Sequence, residues 1–376
     1  MKKLIALVLA LVMVLALVAC GETTTTTEPA ETTETTEPAA TETTEPAAEA
    51  AGGQTIYVLS PSPDHGWTGA IGVFAQEKVD EINAEGKYHA ELQTFATPDD
   101  QIKQIEDIIA NNPGDGSIGV AMLPANTDVE NAIQKLIDEG IPYTAADRII
   151  PGVADGAVSN IKYDNIEIGA AAAAWLVENG LTEGDKVVVI EGDGSSADTD
   201  RTAGFDGYLK GEVEYNGKTI EAPWTDLSTV AYSGPTGWNP ANSQKFFEDY
   251  MGNADNADTK YIASWDDGLS CGVFAALEGS AIEASVKEAF LANGPFISGC
   301  GGSQEFYDII AGTDYHNYSC AEQFGGVMSV TYPPAMIQTT IQALIDYFEG
   351  KDVLKDNTQS AECVTKDNVA NYKGFE

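Results

Sequence analysis

The chain has 376 residues, with 59 aspartates and glutamates against 19 lysines and arginines, giving a formal net charge of −40 at pH 7. So acidic a surface argues against direct binding of nucleic acid or anionic lipid and favours solubility in an open aqueous compartment. Residues 54–376 are too many for a minimal domain and suffice for two lobes, each with a core of its own.

At the amino end, Lys2 and Lys3 precede an unbroken apolar run, Leu4 to Ala19. This is the pattern of a secretory signal, and the run is shorter than the roughly twenty residues that span a bilayer. It closes on Leu17-Val18-Ala19-Cys20-Gly21, which resembles the bacterial lipobox. The resemblance implies diacylglycerol on the Cys20 thiol, cleavage on its amino side and lipid attachment to the outer face of the cell membrane. From Gly21 to Gly53 the composition contracts to Thr, Glu, Ala, Pro and Gly, without a lysine or arginine. Nothing there can build a core, so residues 21–53 are expected to be a disordered, self-repelling tether whose threonines could carry glycans.

Beyond the tether the apolar pattern alternates. The β-branched run Thr55–Ser60 is followed by helical periodicity over Ala70–Ile82, and Ala90–Phe95 by Asp99–Asn111. Ile118–Leu123 is followed by Thr127–Glu139, opened by Thr127 or Asp128 and closed by Gly140, and Ile141–Ala145 by Ile166–Asn179. Lys186–Ile190 leads to a helix near Thr202–Lys210, Lys260–Ser264 to Leu269–Leu277, and Phe296–Gly299 to Gln304–Ala311. Asn317–Ala321 also reads as strand-like. This alternation predicts an α/β fold of two doubly wound parallel-sheet lobes, with ligand bound beyond the carboxyl ends of the strands. Such sheets leave a cleft between the lobes.

Rare residue types narrow the chemistry. Arginine occurs only as Arg148 and Arg201, each in a segment that follows a strand. With Cys20 lipidated, Cys271, Cys300, Cys320 and Cys363 remain, an even number that allows two disulfides in any of three pairings. Cys271 with Cys300 and Cys320 with Cys363 are the expected pairs, with buried free thiols as the alternative. No Cys-x-x-Cys or histidine cluster accompanies them, and neither a metal nor a cofactor is expected. Catalytic motifs such as G-x-S-x-G, H-E-x-x-H and the Walker loop are absent from the sequence. Asp266 and Asp267 are a poor glycosidase pair, because adjacent residues point apart. The chain reads as a binder, not an enzyme.

Gly140-Ile141-Pro142-Tyr143-Thr144-Ala145-Ala146-Asp147-Arg148 resembles the "GIPVVTVDR" segment of the type I periplasmic sugar-binding proteins, the ribose and galactose binders of ABC importers. Thr55–Ala75 is similar to their first strand and aromatic ligand loop, Asp164-Asn165 with Gly169 to their "DN…G" crossover, and Gly204-Phe205 to their "R-x-x-G-F" helix. Val364-Thr365-Lys366-Asp367-Asn368 is similar to their "VTxxNV" tail, so the resemblance covers residues 54–376. It implies a first lobe of residues 54–162 with about 323–350, and a second of about 163–322 with 351–376, joined by a hinge.

The resemblance also implies site residues. Asp147 and Arg148 would hold sugar hydroxyls, a carboxylate and a planar five-donor fork reading a diol in both senses. In the loop Asp64-His65-Gly66-Trp67, Trp67 would stack on the ring and Asp64 and His65 lie beside it, His65 as a donor, a pH-sensitive contact or a bystander. Trp238 would form the other aromatic wall. Trp265 and Asp266 follow the strand Lys260–Ser264, Glu322 follows the strand-like Asn317–Ala321, and Trp224 is a further candidate lining residue. Departures from the family pattern matter as well. The cleft arginine of the family falls on Thr199, leaving Arg201 as a structural arginine open to facing away from ligand and Asp198 as a replacement contact. An expected asparagine is shifted to Asn126, and the "GFDG" aspartate is lost in Gly299-Cys300-Gly301-Gly302. These changes argue against plain ribose specificity and leave pyranose, pentose, polyol, autoinducer-2-like, nucleoside and amine-bearing ligands open. The implied partners are a small sugar or polyol, an ABC permease and the membrane through Cys20, with no nucleic acid and a monomeric chain. A sensory module presenting ligand to a receptor kinase or chemoreceptor is the alternative. Gly21 and the acidic tether favour a Gram-positive-type surface.

Overall fold

The computed structural model describes residues 53–62 and 66–376. The signal segment, Cys20, nearly all of the tether, Asp64 and His65 lie outside the described residues.

Two six-stranded sheets form the frame. In the first the order is β11 (Asp356–Gln359), β5 (Ser159–Tyr163), β4 (Tyr143–Ala146), β3 (Ile118–Met122), β1 (Thr55–Pro61), β2 (His89–Phe95). In the second it is β12 (Cys363–Val364), β10 (Gly326–Thr331), β9 (Phe296–Gly301), β8 (Tyr261–Ser264), β6 (Val187–Glu191), β7 (Val230–Pro235). All pairings are parallel except β10 with β12. The expected doubly wound α/β class is therefore observed. Strands such as β3, β4 and β8 are buried along their whole length, because helices cover both faces and leave no side on which a polar residue would meet water.

Local chemistry sets the helix starts. Thr97 and Asp100 form a reciprocal capping box at the helix Pro98–Ala110. The Asp164 carboxylate accepts from the N–H groups of Ile166 and Glu167 at the helix Asn165–Glu178. Asn126, not Thr127 or Asp128, opens the segment after β3, accepting from the Asp128 N–H. The turn there is a 3-10 helix, Thr127–Val129, before the α-helix Glu130–Asp138.

The chain crosses between lobes three times, and here the expected boundaries are corrected. At the first crossing Asp164 caps the helix Asn165–Glu178. The segment from 323 does not return at once, because Gly326–Thr331 pairs with Phe296–Gly301 in the second sheet. Only after Tyr332-Pro333-Pro334 does the helix Met336–Phe348 pack on the first lobe, burying Ile337, Ile341 and Leu344 against Ile56 and Val58. Residues 351–359 also stay there, since Asp356–Gln359 pairs with Asn160–Tyr163. The third crossing, 360–362, precedes Cys363–Val364 in the second sheet. Asn317–Ala321 is not a strand; Ser319–Gln323 is a 3-10 helix ahead of β10.

All four cysteines in the domain are free thiols, against the expected disulfides. Each expected pair is divided between cores: Cys271 and Cys320 belong to one apolar cluster, whereas Cys300 is part of another and Cys363 packs against it. The Cys320 thiol donates to the Phe274 carbonyl at 3.6 Å and the Cys363 thiol to the Ala171 carbonyl at 3.8 Å.

Candidate functional site

Between the lobes lies a cavity of about 330 Å³ at the carboxyl ends of the strands. The first lobe contributes Trp67, Asp147 and Arg148; the second contributes Arg201, Trp238, Asp266 and Cys300; Tyr332 enters from the second crossing. All but Cys300, which lies within β9, follow a strand that leads to the cleft, the placement that a doubly wound sheet favours for ligands.

Asp147 sits one residue past β4 with φ 62° and receives the Tyr332 phenolic hydroxyl. Its other carboxylate oxygen lies 3.8 Å from Arg148 Nε, and Arg148 is anchored through Nη1 to the Ala125 carbonyl. Trp238 has φ 57°. A left-handed backbone is costly for a bulky residue and persists where the surroundings impose it, a pattern that clusters at ligand sites. Gly192 makes room for the indole, since a Cβ at that position would lie 2.2 Å from the Trp238 ring. Burial works against the Asp193 charge, but hydrogen bonds from Ser195 and Trp238 and the Arg148 guanidinium across the cleft hold that carboxyl below its usual range.

Arg201 is buried at the centre. Its Nε donates to Asn165 Oδ1 at 2.9 Å and Nη1 to the Trp265 carbonyl. The guanidinium lies 4.6 Å from the Tyr332 ring centroid and 5.6 Å from that of Trp238. Tyr332 in turn stacks on Trp67 at 5.1 Å, and the Trp67 indole N–H donates to the Tyr332 carbonyl at 2.6 Å. A ladder of Trp67, Tyr332, Arg201 and Trp238 thus runs from lobe to lobe. Burial alone would lower the Arg201 pKa, but Cys300, Tyr332, Asp147 and Asp266 offset it and the pKa is raised. Asp266 caps the helix Asp267–Glu278 by accepting from the Gly268 N–H at 2.7 Å, while burial raises its pKa against the pull of that N–H and of Arg201. Its neighbour Asp267 accepts from the N–H groups of Gly302 and Ser303 and from the Ser329 hydroxyl. Burial and the adjacent Asp266 raise the Asp267 pKa to about 7. The Cys300 thiol on the cleft floor is pushed up by burial to about 12.

The structure thus brings together Trp67, Asp147, Arg148, Trp238 and Asp266 as the sequence implied. Arg201, read as open to facing away, instead lines the cavity. Several expected contacts fall elsewhere. Asp198 is buried with its carboxylate on the N–H groups of Gly192 and Gly194, both at 2.7 Å, and shapes the loop. Thr199 is exposed, its hydroxyl on the Ser195 carbonyl at 3.0 Å. Asn126 is spent on its cap. Trp265 and Trp224 are core residues, Trp265 fully buried with its indole N–H on Thr202 Oγ1 at 3.0 Å. Glu322 is exposed ahead of β10, at the end of the sheet away from the cleft, because the strand expected before it is displaced. Tyr332 was missed, although Val327–Thr331 followed by Tyr-Pro-Pro carries a strand-then-turn signal.

Two lobes around a cleft lined by aromatic rings and opposed charges define a solute-binding protein. Residues 56–352 match the family described as "Periplasmic binding protein domain", and the chain belongs to that family. No curated protein matches the sequence. Among solved structures, the chain is similar to the periplasmic binding component of an arabinose ABC transporter from Shewanella sp. ANA-3, bound to L-arabinofuranose: 16% identity over 85% of this chain and 94% of that one, TM-score 0.62. An ABC transporter solute-binding protein from Bacillus halodurans C-125 with bound myo-inositol gives 17% identity, coverage of 87% and 99%, and a TM-score of 0.63. One from Agrobacterium vitis with bound allitol gives 18%, 85% and 97%, and 0.62.

Proposed function

We propose that this chain is the extracytoplasmic binding lipoprotein of an ABC importer, tied to the membrane through lipid on Cys20, and that it captures a neutral sugar or polyol between its lobes for delivery to a permease. The observation that carries the reading is the charge set of the cleft: Asp147 and Arg148 from one lobe meet Arg201 and Asp266 from the other beside Trp67 and Trp238. Among the described residues that line the cavity, two carboxylates and two guanidiniums balance, which suits a ligand without net charge, and together they accept from and donate to hydroxyls. The tryptophans offer flat faces to the C–H side of a sugar, although Trp67 already shares one face with Tyr332. The arabinofuranose, myo-inositol and allitol bound by the structural relatives support the same ligand class.

Ligand would enter an open cleft, engage the buried second-lobe groups, and be enclosed as Asp147 and Arg148 close on it. The lipid anchor, the tether and the permease rest on the lipobox resemblance and on family membership. A thermal-shift screen of a fragment from Gln54 against pentoses, hexoses, polyols, nucleosides and amino acids tests the ligand class, because a ligand that binds only the folded state raises Tm. A shift with pentoses, hexoses or polyols is expected; shifts confined to nucleosides or amino acids would overturn it. Arg148→Ala should then abolish saturable binding in calorimetry while leaving Tm without ligand unchanged. Palmitate labelling of the full chain, lost in Cys20→Ala, tests the anchor.

A further inference from the structure

Behind the cleft lies a second cavity of about 430 Å³ that the binding step above does not use. Residues at or next to all three lobe crossings border it: Tyr163 just ahead of the first, Thr331 and Pro333 at the second, Ser360 and Glu362 in the third. Its outer wall is the carboxyl tail. The Gln304 N–H donates to the Phe375 carbonyl at 2.8 Å, the Phe375 N–H to the Gly302 carbonyl at 3.1 Å, and the Gly374 N–H to Gln304 Oε1 at 3.1 Å. These bonds hold Phe375 and Tyr372 against the hinge.

Among the described residues only Gly301 lines both cavities. A Cβ built there would lie 3.9 Å from Asp266 Oδ2, in the cleft, and 3.8 Å from Phe375 Cε1, in the hinge cavity. The two spaces therefore adjoin at Gly301. The hinge cavity shares the aromatic character of the cleft: the rings of Phe74, Tyr163, Tyr307 and Phe375 give flat apolar walls. The Glu362 carboxylate, which receives the Tyr372 hydroxyl, gives a polar edge, and the size falls within the usual range for small-molecule sites.

We propose that the hinge cavity is a second carbohydrate site. It takes a hydroxylated ring, either a separate monosaccharide or the distal ring of a glycoside whose first ring occupies the cleft; this rests on the sugar reading of the cleft. Because residues at or next to every crossing border the cavity, lobe movement changes its shape. An occupant that fits one lobe angle therefore shifts the population toward that angle and alters affinity in the cleft, with the reciprocal effect required by linkage.

Calorimetry tests this with D-glucose, D-galactose, L-arabinose, myo-inositol, cellobiose and lactose, on the wild-type domain and on Ala335→Trp and Ser360→Trp. Both positions line the hinge cavity and neither lines the cleft, so a tryptophan at either is expected to fill the hinge cavity. If a separate monosaccharide binds there, the stoichiometry is two and falls to one in the filled variants. If a distal ring binds there, a disaccharide binds about 10-fold tighter than its monosaccharide at a stoichiometry of one, and the advantage vanishes when the cavity is filled. Unchanged stoichiometry and unchanged disaccharide preference in folded Ser360→Trp overturn the proposal. Wild type that binds none of the six carbohydrates overturns it through the sugar reading instead, and the two failures are distinguished by whether wild type binds at all.

Discussion

The two lobes share a strand order yet present their charges differently. Ignoring each edge strand, the first sheet runs β5-β4-β3-β1-β2 and the second β10-β9-β8-β6-β7. In the second, Arg201 is 4% exposed and locked by Asn165, the Trp265 carbonyl and the Tyr332 ring. In the first, the Arg148 side chain is 45% exposed and held by the Ala125 carbonyl and a long contact to Asp147. A buried guanidinium with its partners in place is organised before ligand arrives, whereas an exposed one must be ordered by it. The second lobe is thus the preformed half of the site and the first lobe the closing half.

Arg201→Ala tests that division most severely. Removing one partner of a buried charged network leaves Asp266 and the Asn165 amide unmatched, and a loss of about 3–5 kcal/mol of stability is expected in denaturant unfolding. Ligand binding should disappear as well. Arg201→Lys should restore little, because an ammonium cannot serve Asn165 and Trp265 through a rigid fork while stacking on Tyr332. A variant as stable as wild type would show that the second lobe is not preformed around this residue.

The next effect is of pH on the same lobe. Asp267, with a folded pKa of about 7 against an ordinary value of 3.8, is raised by burial and by Asp266. Between these pH values the folded state binds more protons than the unfolded one, so this group's contribution favours folding at low pH and is lost as pH rises toward 7. Asp267→Asn should flatten the decline in Tm between about pH 4 and pH 7; an unchanged slope would remove Asp267 as its source.

How much of this was readable beforehand follows the physics of each signal. Buried strands and capped helices announce themselves locally, and Thr55–Ser60 or Gln304–Ala311 emerge almost as read. Asp147 and Arg148 were placed because motif and strand end coincide, and Trp238 by resemblance alone, since the strand Val230–Pro235 ahead of it was not read. The direction of Arg201 stayed open because it depends on the packing of the helix Ser196–Leu209 against Asn165 and Trp265, a tertiary fact. The Glu322 error propagated from Asn317–Ala321, whose β-like composition lost to a 3-10 turn, and the true strand ends instead on Tyr332. Free thiols in place of disulfides reflect the same limit, since parity of cysteines says nothing about which core each one faces.

Tyr332 joins the halves, so its hydroxyl should matter moderately. Tyr332→Phe keeps the stack on Trp67 and Arg201 but removes the bond to Asp147, and a loss of about 1–1.5 kcal/mol in ligand binding is expected by calorimetry. An effect on stability alone would make Tyr332 a hinge strut and not a site residue.

The smallest expected effect marks the boundary of the site. Glu322 is exposed at the amino side of β10, and Thr199 spends its hydroxyl on its own helix. Surface substitutions away from caps and cores usually change stability by less than about 0.5 kcal/mol. Glu322→Ala and Thr199→Ala should therefore leave both Tm and ligand affinity within error of wild type. A large loss of affinity in Glu322→Ala would require the carboxylate to act from the far end of the sheet. In that case the cleft among Trp67, Asp147, Arg201 and Trp238 would not be the binding site, and the division into a preformed and a closing lobe would fail with it.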